Sequence, residues 1–373
     1  MDHDSVLIGL SILLAGIISI EIGFSTAMLE ILAGVIASNI LGISHPTWLD
    51  FLADFGLVGI LFYAGFEVDP KLLKVNLKSN ILIGILSYLV PFLLILAFFY
   101  IILKTPMITA IIAAISLATT SVALIYSVLR EKGLMEKEHS QIILGSALIL
   151  EVSSILSLPL MIGFFTLSSI IYIILALIFF ALSPRLGRIV FKRYRGSPAE
   201  LEIKLILLLL VTLPFIAERA FISEALLAFL MGVLFSEIIE DDAIVKEKLR
   251  GIIFGFLAPA FFFRAGLFID LSLITPAIIA LIIVLVLLVF STKYISAFLI
   301  SYFLVSKQVA RMIGYFLNFN LTFGIIVAVF GLSAGILPLE DYVAILITIL
   351  LTSLLSSIIL RVTPEELYRQ TFL

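Results

Sequence analysis

One carboxylate stands out by its surroundings. Glu151 lies near the middle of SQIILGSALILEVSSILSLPLM (140–161), an apolar run long enough to cross a bilayer. A charged acid at that depth costs about 3 kcal/mol on insertion scales, so such acids face a cavity or a partner, where they handle ions or protons. Two further runs carry oxygen-rich interruptions at the same depth. AISLATTSVALIY holds Thr119, Thr120 and Ser121 in mid-run, and YFLNFNLTFGII holds Asn318, Asn320 and Thr322. Hydroxyls, amides and freed main-chain carbonyls are the neutral ligands that suit a hard monovalent cation, with the acid supplying the charge. Thr119, Thr120, Ser121 and Glu151 are therefore the expected ion- and proton-binding set. Two buried cations, Lys293 and Arg264, are the expected charge partners. For Arg264 the candidate acceptors are Glu151, a helix C-terminal carbonyl cluster and Glu67. Glu30, Glu67, Asp69 and Asp270 lie nearer the run ends and read as helix-end or gate contacts.

The elements that hold these groups are long apolar helices. The chain is 62% hydrophobic and 13% charged, with a mean hydropathy of +1.29. Soluble domains carry roughly 25% charge. Breaks at Pro, Gly and charge clusters predict an all-α polytopic membrane protein of about thirteen spans. They fall near 4–20, 24–42, 50–68, 79–103, 106–129, 140–163, 166–184, 200–217, 222–238, 250–269, 273–304, 308–334 and 340–361. With the N-terminus outside, all but four of the 23 Lys and Arg residues fall in cytoplasmic loops; the exceptions are Lys104, Arg219, Lys293 and Arg264. An odd span count then puts the C-terminus in the cytoplasm of a multi-pass cell-membrane protein. The opening MDHDSVLIGL lacks a basic region and argues against a cleaved leader.

Composition also excludes chemistry. There is no Cys, and His3, His45 and His139 all sit at run ends, so neither thiolate catalysis nor an intramembrane His metal site is expected. One central acid, one Lys and no central His do not make an intramembrane enzyme. No loop is long enough for a soluble regulatory domain, and no Gly-rich phosphate loop occurs. No cofactor, nucleic-acid partner or resident metal is expected.

An internal repeat is legible. STAMLEILAGVIASNI (25–40) matches SEALLAFLMGVLFSEI (223–238) at eight of sixteen positions, Gly34 over Gly232 among them. LFYAGFEVD then lies over FFFRAGLFID, with Gly65 over Gly266 and Tyr63 over Arg264. The two copies start seven spans apart, so they run in opposite directions. Inverted repeats of about 24–163 and 222–361, within a single membrane domain, are a transporter architecture with the site at midplane. The interrupted runs occupy the same place in each copy and are expected to be two broken crossing helices.

In order along the chain, STAMLEILAGVIASNILGI, LVGILFYAGFEVD, SLATTSVALIYSVLREKGL, QIILGSALILEV, APAFFFRAGLFID and TKYISAFLI resemble the second family of monovalent cation:proton antiporters, which includes Kef-type and Nap-type exchangers. The resemblance implies an antiporter that exchanges Na⁺ or K⁺ for H⁺. It also implies an elevator-like core domain moving against a dimer domain, and a homodimer in the lipid bilayer. It places the transport carboxylate at Glu151, the polar crossover at Thr120 and Ser121, and the family's intramembrane Lys at Lys293. Leu150 stands where the family has a polar residue, so Lys293 lacks the partner it pairs with in Asp-Asp members. Asn320-Leu321-Thr322 replaces an Arg-Gly-Glu, and Arg264 replaces a small or apolar residue. With one midplane acid, the expected exchange is electroneutral, one proton per cation. A cation-coupled carrier of a small organic solute is the alternative.

Overall fold

The computed structural model describes residues 3–43, 46–66, 76–131, 134, 137–162, 167–194, 196–220, 224–239 and 243–363. Among them every regular element is helical. Apolar segments this long can satisfy their N–H and C=O groups in lipid only internally, and the helix does so. The helices are α1 (His3–Ile22), α2 (Thr26–Asn39), α3 (Thr47–Phe66), α4 (Leu77–Ala97), α5 (Met107–Ala118), α6 (Val122–Glu131), α7 (Glu138–Ile162) and α8 (Leu167–Tyr194). They continue as α9 (Leu201–Ala220), α10 (Glu224–Ile239), α11 (Ala243–Ile252), α12 (Ala258–Leu267), α13 (Pro276–Tyr302), α14 (Lys307–Phe316), α15 (Thr322–Ser333) and α16 (Leu339–Val362).

Local sequence explains the punctuation. Thr275 accepts a hydrogen bond from the Ile278 N–H at 3.3 Å, and Pro276 opens α13 where its missing N–H costs nothing. Ser306 caps α14 in the same way through Val309 N–H. Pro259 cannot donate to the preceding turn, and the wider π-turn Ile253–Leu257 joins α11 to α12 just before it.

Seven helices among the described residues are long and apolar enough to cross a membrane, α1, α3, α7, α13 and α16 among them. Thr26–Asn39, Met107–Ala118, Leu227–Ser236 and Thr322–Ser333 are apolar but shorter. The protein is a multi-pass, all-helical membrane protein. Two of the expected runs are interrupted: α5 and α15 are each half of one.

The chain forms two compact units. Unit 1 comprises Met1–Val68 and Ile162–Ile269; unit 2 comprises Asp69–Met161 and Asp270–Leu373. Each unit thus draws on both halves of the chain.

Unit 1 is built on two glycine-mediated crossings, α2 on α12 and α10 on α3. A methyl group at Gly34 would strike the carbonyl oxygen of Phe263, and one at Gly266 would strike that of Ile31. In the other crossing, Gly232 meets the carbonyl of Phe62 and Gly65 that of Phe229. Helix backbones approach this closely only where small residues permit it.

Unit 2 contains α4–α7 and α13–α16. Here α4 packs on α7 through Gly84, which abuts Ile149 and Ser146, and through Gly145, which abuts Asn80. Tyr88 hydroxyl reaches Ser157 at 2.6 Å across the same contact.

Candidate functional site

The first interruption is three residues long. Helix α5 ends at Ala118, Thr119 is extended with ψ 171°, and α6 begins at Val122. Thr119, Thr120 and Ser121 are all buried. A buried break exposes the last carbonyls of one helix and the first N–H groups of the next, and each must find a partner.

The α6 end is met by the acid. Val122 N–H donates to Glu151 Oε2 at 3.1 Å, which sets the carboxylate against the positive end of α6. Glu151 is 8% exposed, and Leu150 beside it is fully buried. The α5 end is met by a cation. Lys293, 1% exposed, donates from Nζ to the Thr119 carbonyl at 2.5 Å, at the negative end of α5. Lys293 is thus bound to the crossover main chain, and no ion pair joins it to an acid among the described residues. Ser154 links the two sides. Its hydroxyl donates to the Glu151 carbonyl at 2.7 Å and meets the Thr119 hydroxyl at 2.8 Å.

The second interruption lies between α14, ending at Phe316, and α15, starting at Thr322. Its Phe319 carbonyl accepts from Ser121 N–H at 2.9 Å and from the Thr120 hydroxyl at 2.8 Å. Asn320 returns the contact: its amide donates to the carbonyls of Ser116 and Leu117, both at 3.1 Å, closing the α5 C-terminus. Asn318 donates to Gly314 O at 2.9 Å within its own half-helix. Ser353 on α16 accepts from Asn320 N–H at 3.1 Å and donates to the Asn320 carbonyl. Thr322 and Ser121 hydroxyls lie 3.5 Å apart. The two breaks therefore cross and hold each other, and Thr119, Thr120, Ser121, Glu151, Lys293, Asn320 and Thr322 all belong to this one assembly in unit 2. Asn318 stands beside it with its side chain turned to its own helix.

Arg264 is a correction. Among the described residues its partners are two aspartates that the sequence reading did not name. It lies in the last turn of α12 in unit 1, with Nη2 2.7 Å from Asp54 Oδ1 and Nη1 3.5 Å from Asp50 Oδ1. Nη1 also donates to the Asp50 carbonyl at 3.2 Å. The reason is helix periodicity: α3 begins at Thr47, so Asp50 and Asp54 sit one turn apart on one face. Glu30 is buried near the N-terminal end of α2 in unit 1, at 4% exposure. Asp270 is exposed and caps the short turn Leu271–Leu273. The hydrogen bonds it accepts from Ser272 hold its carboxyl below the usual range. Glu67 and Asp69 lie outside the described residues.

Sequence reasoning missed Ser154, Ser353, Asp50 and Asp54. Ser154 follows Glu151 by three positions and so shares its helical face, a signal that was available. Phe319 acts through its carbonyl, which leaves no mark in the sequence.

An all-helical membrane protein with a buried acid and cation at crossed helix breaks belongs to the class of ion-handling carriers. The profile described as "Sodium/hydrogen exchanger, transmembrane" matches residues 9–364, and the chain belongs to that family. The narrower second-family label is therefore only approximate, while the broader one, monovalent cation:proton antiporters, holds. The chain is 28% identical over 252 residues to the probable Na(+)/H(+) antiporter 3 of Methanocaldococcus jannaschii, covering 64% of this chain and 62% of that relative's length. It is 26% identical over 362 residues to the probable Na(+)/H(+) antiporter GerT of Bacillus cereus, covering 90% and 91%. The fold is similar to that of the sodium proton antiporter MjNhaP1 from Methanocaldococcus jannaschii, with TM-score 0.69, 19% identity, and 96% and 95% of the two chains covered. The relatives are transporters and not enzymes, and the ions named for them are substrates rather than cofactors.

Proposed function

We propose that this protein exchanges a monovalent cation, Na⁺ first, for H⁺ across the cell membrane, with Glu151 as the carrier of both. The observation that carries the reading is the Glu151 carboxylate at the α6 N-terminus, at the crossing of two broken helices. The carboxylate binds a proton or a cation, never both. Thr120 and Ser121 contribute neutral oxygens: the Thr120 hydroxyl spends its proton on Phe319 O, which leaves its lone pairs for a cation. Loaded with either ion the site is near neutral and can move; empty and charged, it is costly to move through hydrocarbon. That asymmetry makes exchange obligatory.

Two features support a one-for-one, electroneutral cycle. Leu150 removes the second acid, and Lys293 is hydrogen-bonded to the Thr119 carbonyl rather than to the carrier. K⁺ is the second candidate ion; one relative, GerN of Bacillus cereus, is named a Na(+)/H(+)-K(+) antiporter. The transport motion is of elevator type, with the compact unit that carries the site moving as a body. The broader architecture follows the same reading: thirteen spans, N-terminus outside, C-terminus cytoplasmic, a homodimer, and inverted repeats. The glycine contacts support the repeat. Gly34–Phe263 and Gly266–Ile31 in one crossing are matched residue for residue by Gly232–Phe62 and Gly65–Phe229 in the other, each pair exchanging aligned positions.

The test uses the protein reconstituted in vesicles with an acid interior. Adding Na⁺, K⁺ or Li⁺ outside should raise the internal pH, and Glu151→Gln should abolish the response. Because proton and cation compete for one group, the apparent KM for the cation should rise as the pH falls. A mutant that still exchanges, or a wild type silent to all three ions, overturns the reading.

A further inference from the structure

The first 18 residues of α8, Leu167–Pro184, carry no charge, and the next ten carry Arg185, Arg188, Lys192 and Arg193. At 1.5 Å per residue the apolar part spans about 27 Å, close to the hydrocarbon thickness, and the basic part extends about 15 Å beyond it. One side of this end is packed. Gly187 faces Phe235 and Ile238 of α10, Ser183 faces Met231, and the Phe191 ring meets Phe235 at 6.5 Å. The four cations point the other way and are all exposed.

Two observations give that exposed side a partner. First, the face is continuous. At 100° per residue, Ile174, Ile178 and Leu182 lie on the same side as Arg185, Arg188 and Lys192, with Leu186 and Ile189 beside them. These apolar side chains are 46–60% exposed. A surface apolar for about three turns and then both apolar and basic matches the profile of a phospholipid, acyl chain below and headgroup above. Second, the charges are unspent. No acid occurs in α8, and none of the four cations forms an ion pair among the described residues. The nearby acids are engaged elsewhere: Glu200 holds Lys248 at 2.6 Å, and Glu202 accepts Gly196 N–H at 2.9 Å. Arg193 additionally lies over the Tyr194 ring at 5.6 Å.

We propose that Arg185, Arg188, Lys192 and Arg193 form a binding face for the headgroup of an anionic phospholipid, with Leu182, Leu186 and Ile189 contacting its acyl chains. Setting membrane orientation during insertion accounts for basic charge at a helix end. It predicts no lipid preference in the folded protein, and the two are separable on that point.

The experiment is thermal unfolding of the full chain in detergent, titrated with phosphatidylglycerol, phosphatidylcholine or inorganic phosphate. Phosphatidylglycerol should raise the unfolding midpoint saturably, and the other two should not. Replacing all four cations by Gln should weaken the apparent phosphatidylglycerol affinity by on the order of a hundredfold. The charge-preserving set Arg185→Lys, Arg188→Lys and Arg193→Lys should keep it, which separates lost binding from a damaged helix. An equal shift with phosphatidylcholine overturns the proposal. So does an unchanged phosphatidylglycerol shift in the Gln variant, or a phosphate effect of the same size, which would mark a free-anion site instead.

Discussion

The two helix breaks of unit 2 solve one problem in different ways. Both interrupt a buried helix, and both free carbonyls and N–H groups that lipid cannot satisfy. At Thr119–Ser121 the partners are ionisable side chains brought from other helices: Glu151 of α7 at the N–H end and Lys293 of α13 at the carbonyl end. At the break between Phe316 and Thr322 the partners are neutral. Asn318 closes its own half-helix, Ser121 N–H and the Thr120 hydroxyl meet the Phe319 carbonyl, and Ser353 holds the Asn320 peptide; Asn320 in turn adds a neutral partner to the α5 end. The difference assigns labour. A break held by neutral amides keeps its charge whatever the pH, so it can only be a frame. A break held by a carboxylate changes charge when a proton or cation arrives, so it can be the working site.

The sharpest way to break this comparison is to move the acid. Glu151→Gln should reduce exchange to the level of protein-free vesicles, and adding Asn320→Asp should fail to restore it; restored cation-dependent alkalinisation would show the two breaks to be interchangeable. Lys293→Met is next. It removes a charge-assisted hydrogen bond from the α5 end and should cost about 2 kcal/mol, read as a lower midpoint in thermal unfolding. An Arg at 293 should recover part of that stability if the cation serves the helix end. Asn320→Ala frees two carbonyls at once and should cost about 1–2 kcal/mol. It should leave the apparent KM for the cation nearly unchanged, because the frame and not the site is altered. The smallest effect is expected from Thr120→Val, about 0.6 kcal/mol for one interhelical hydrogen bond. That substitution should still raise the cation KM by about threefold, since it removes a candidate ligand. A stability loss without a KM change would move Thr120 from the site into the frame.

The fold was legible where charge and apolar length decide it. Long apolar runs cut by Pro, Gly and basic clusters read as helices, because helices are what such runs form in lipid. The two interruptions were legible because polar Thr, Ser and Asn cluster at mid-run in corresponding places of the two copies. The partners of Arg264 were not legible for want of register: they depend on which residues of α3 face α12. Lys293 was placed correctly as buried, but its partner, a main-chain carbonyl, carries no side-chain signature.

Sequence alone therefore determined the solvent this protein lives in, the buried acid, the polar breaks and the paired glycines, because each is a local conflict with lipid that the residue types themselves reveal. Only the tertiary structure decided how those conflicts are resolved: that Lys293 serves a helix end, that Asn320 reaches across to α5, and that Arg264 pairs within unit 1. Hydrogen bonds are short-ranged and directional, and the partners in these three cases lie up to 214 positions apart in the chain.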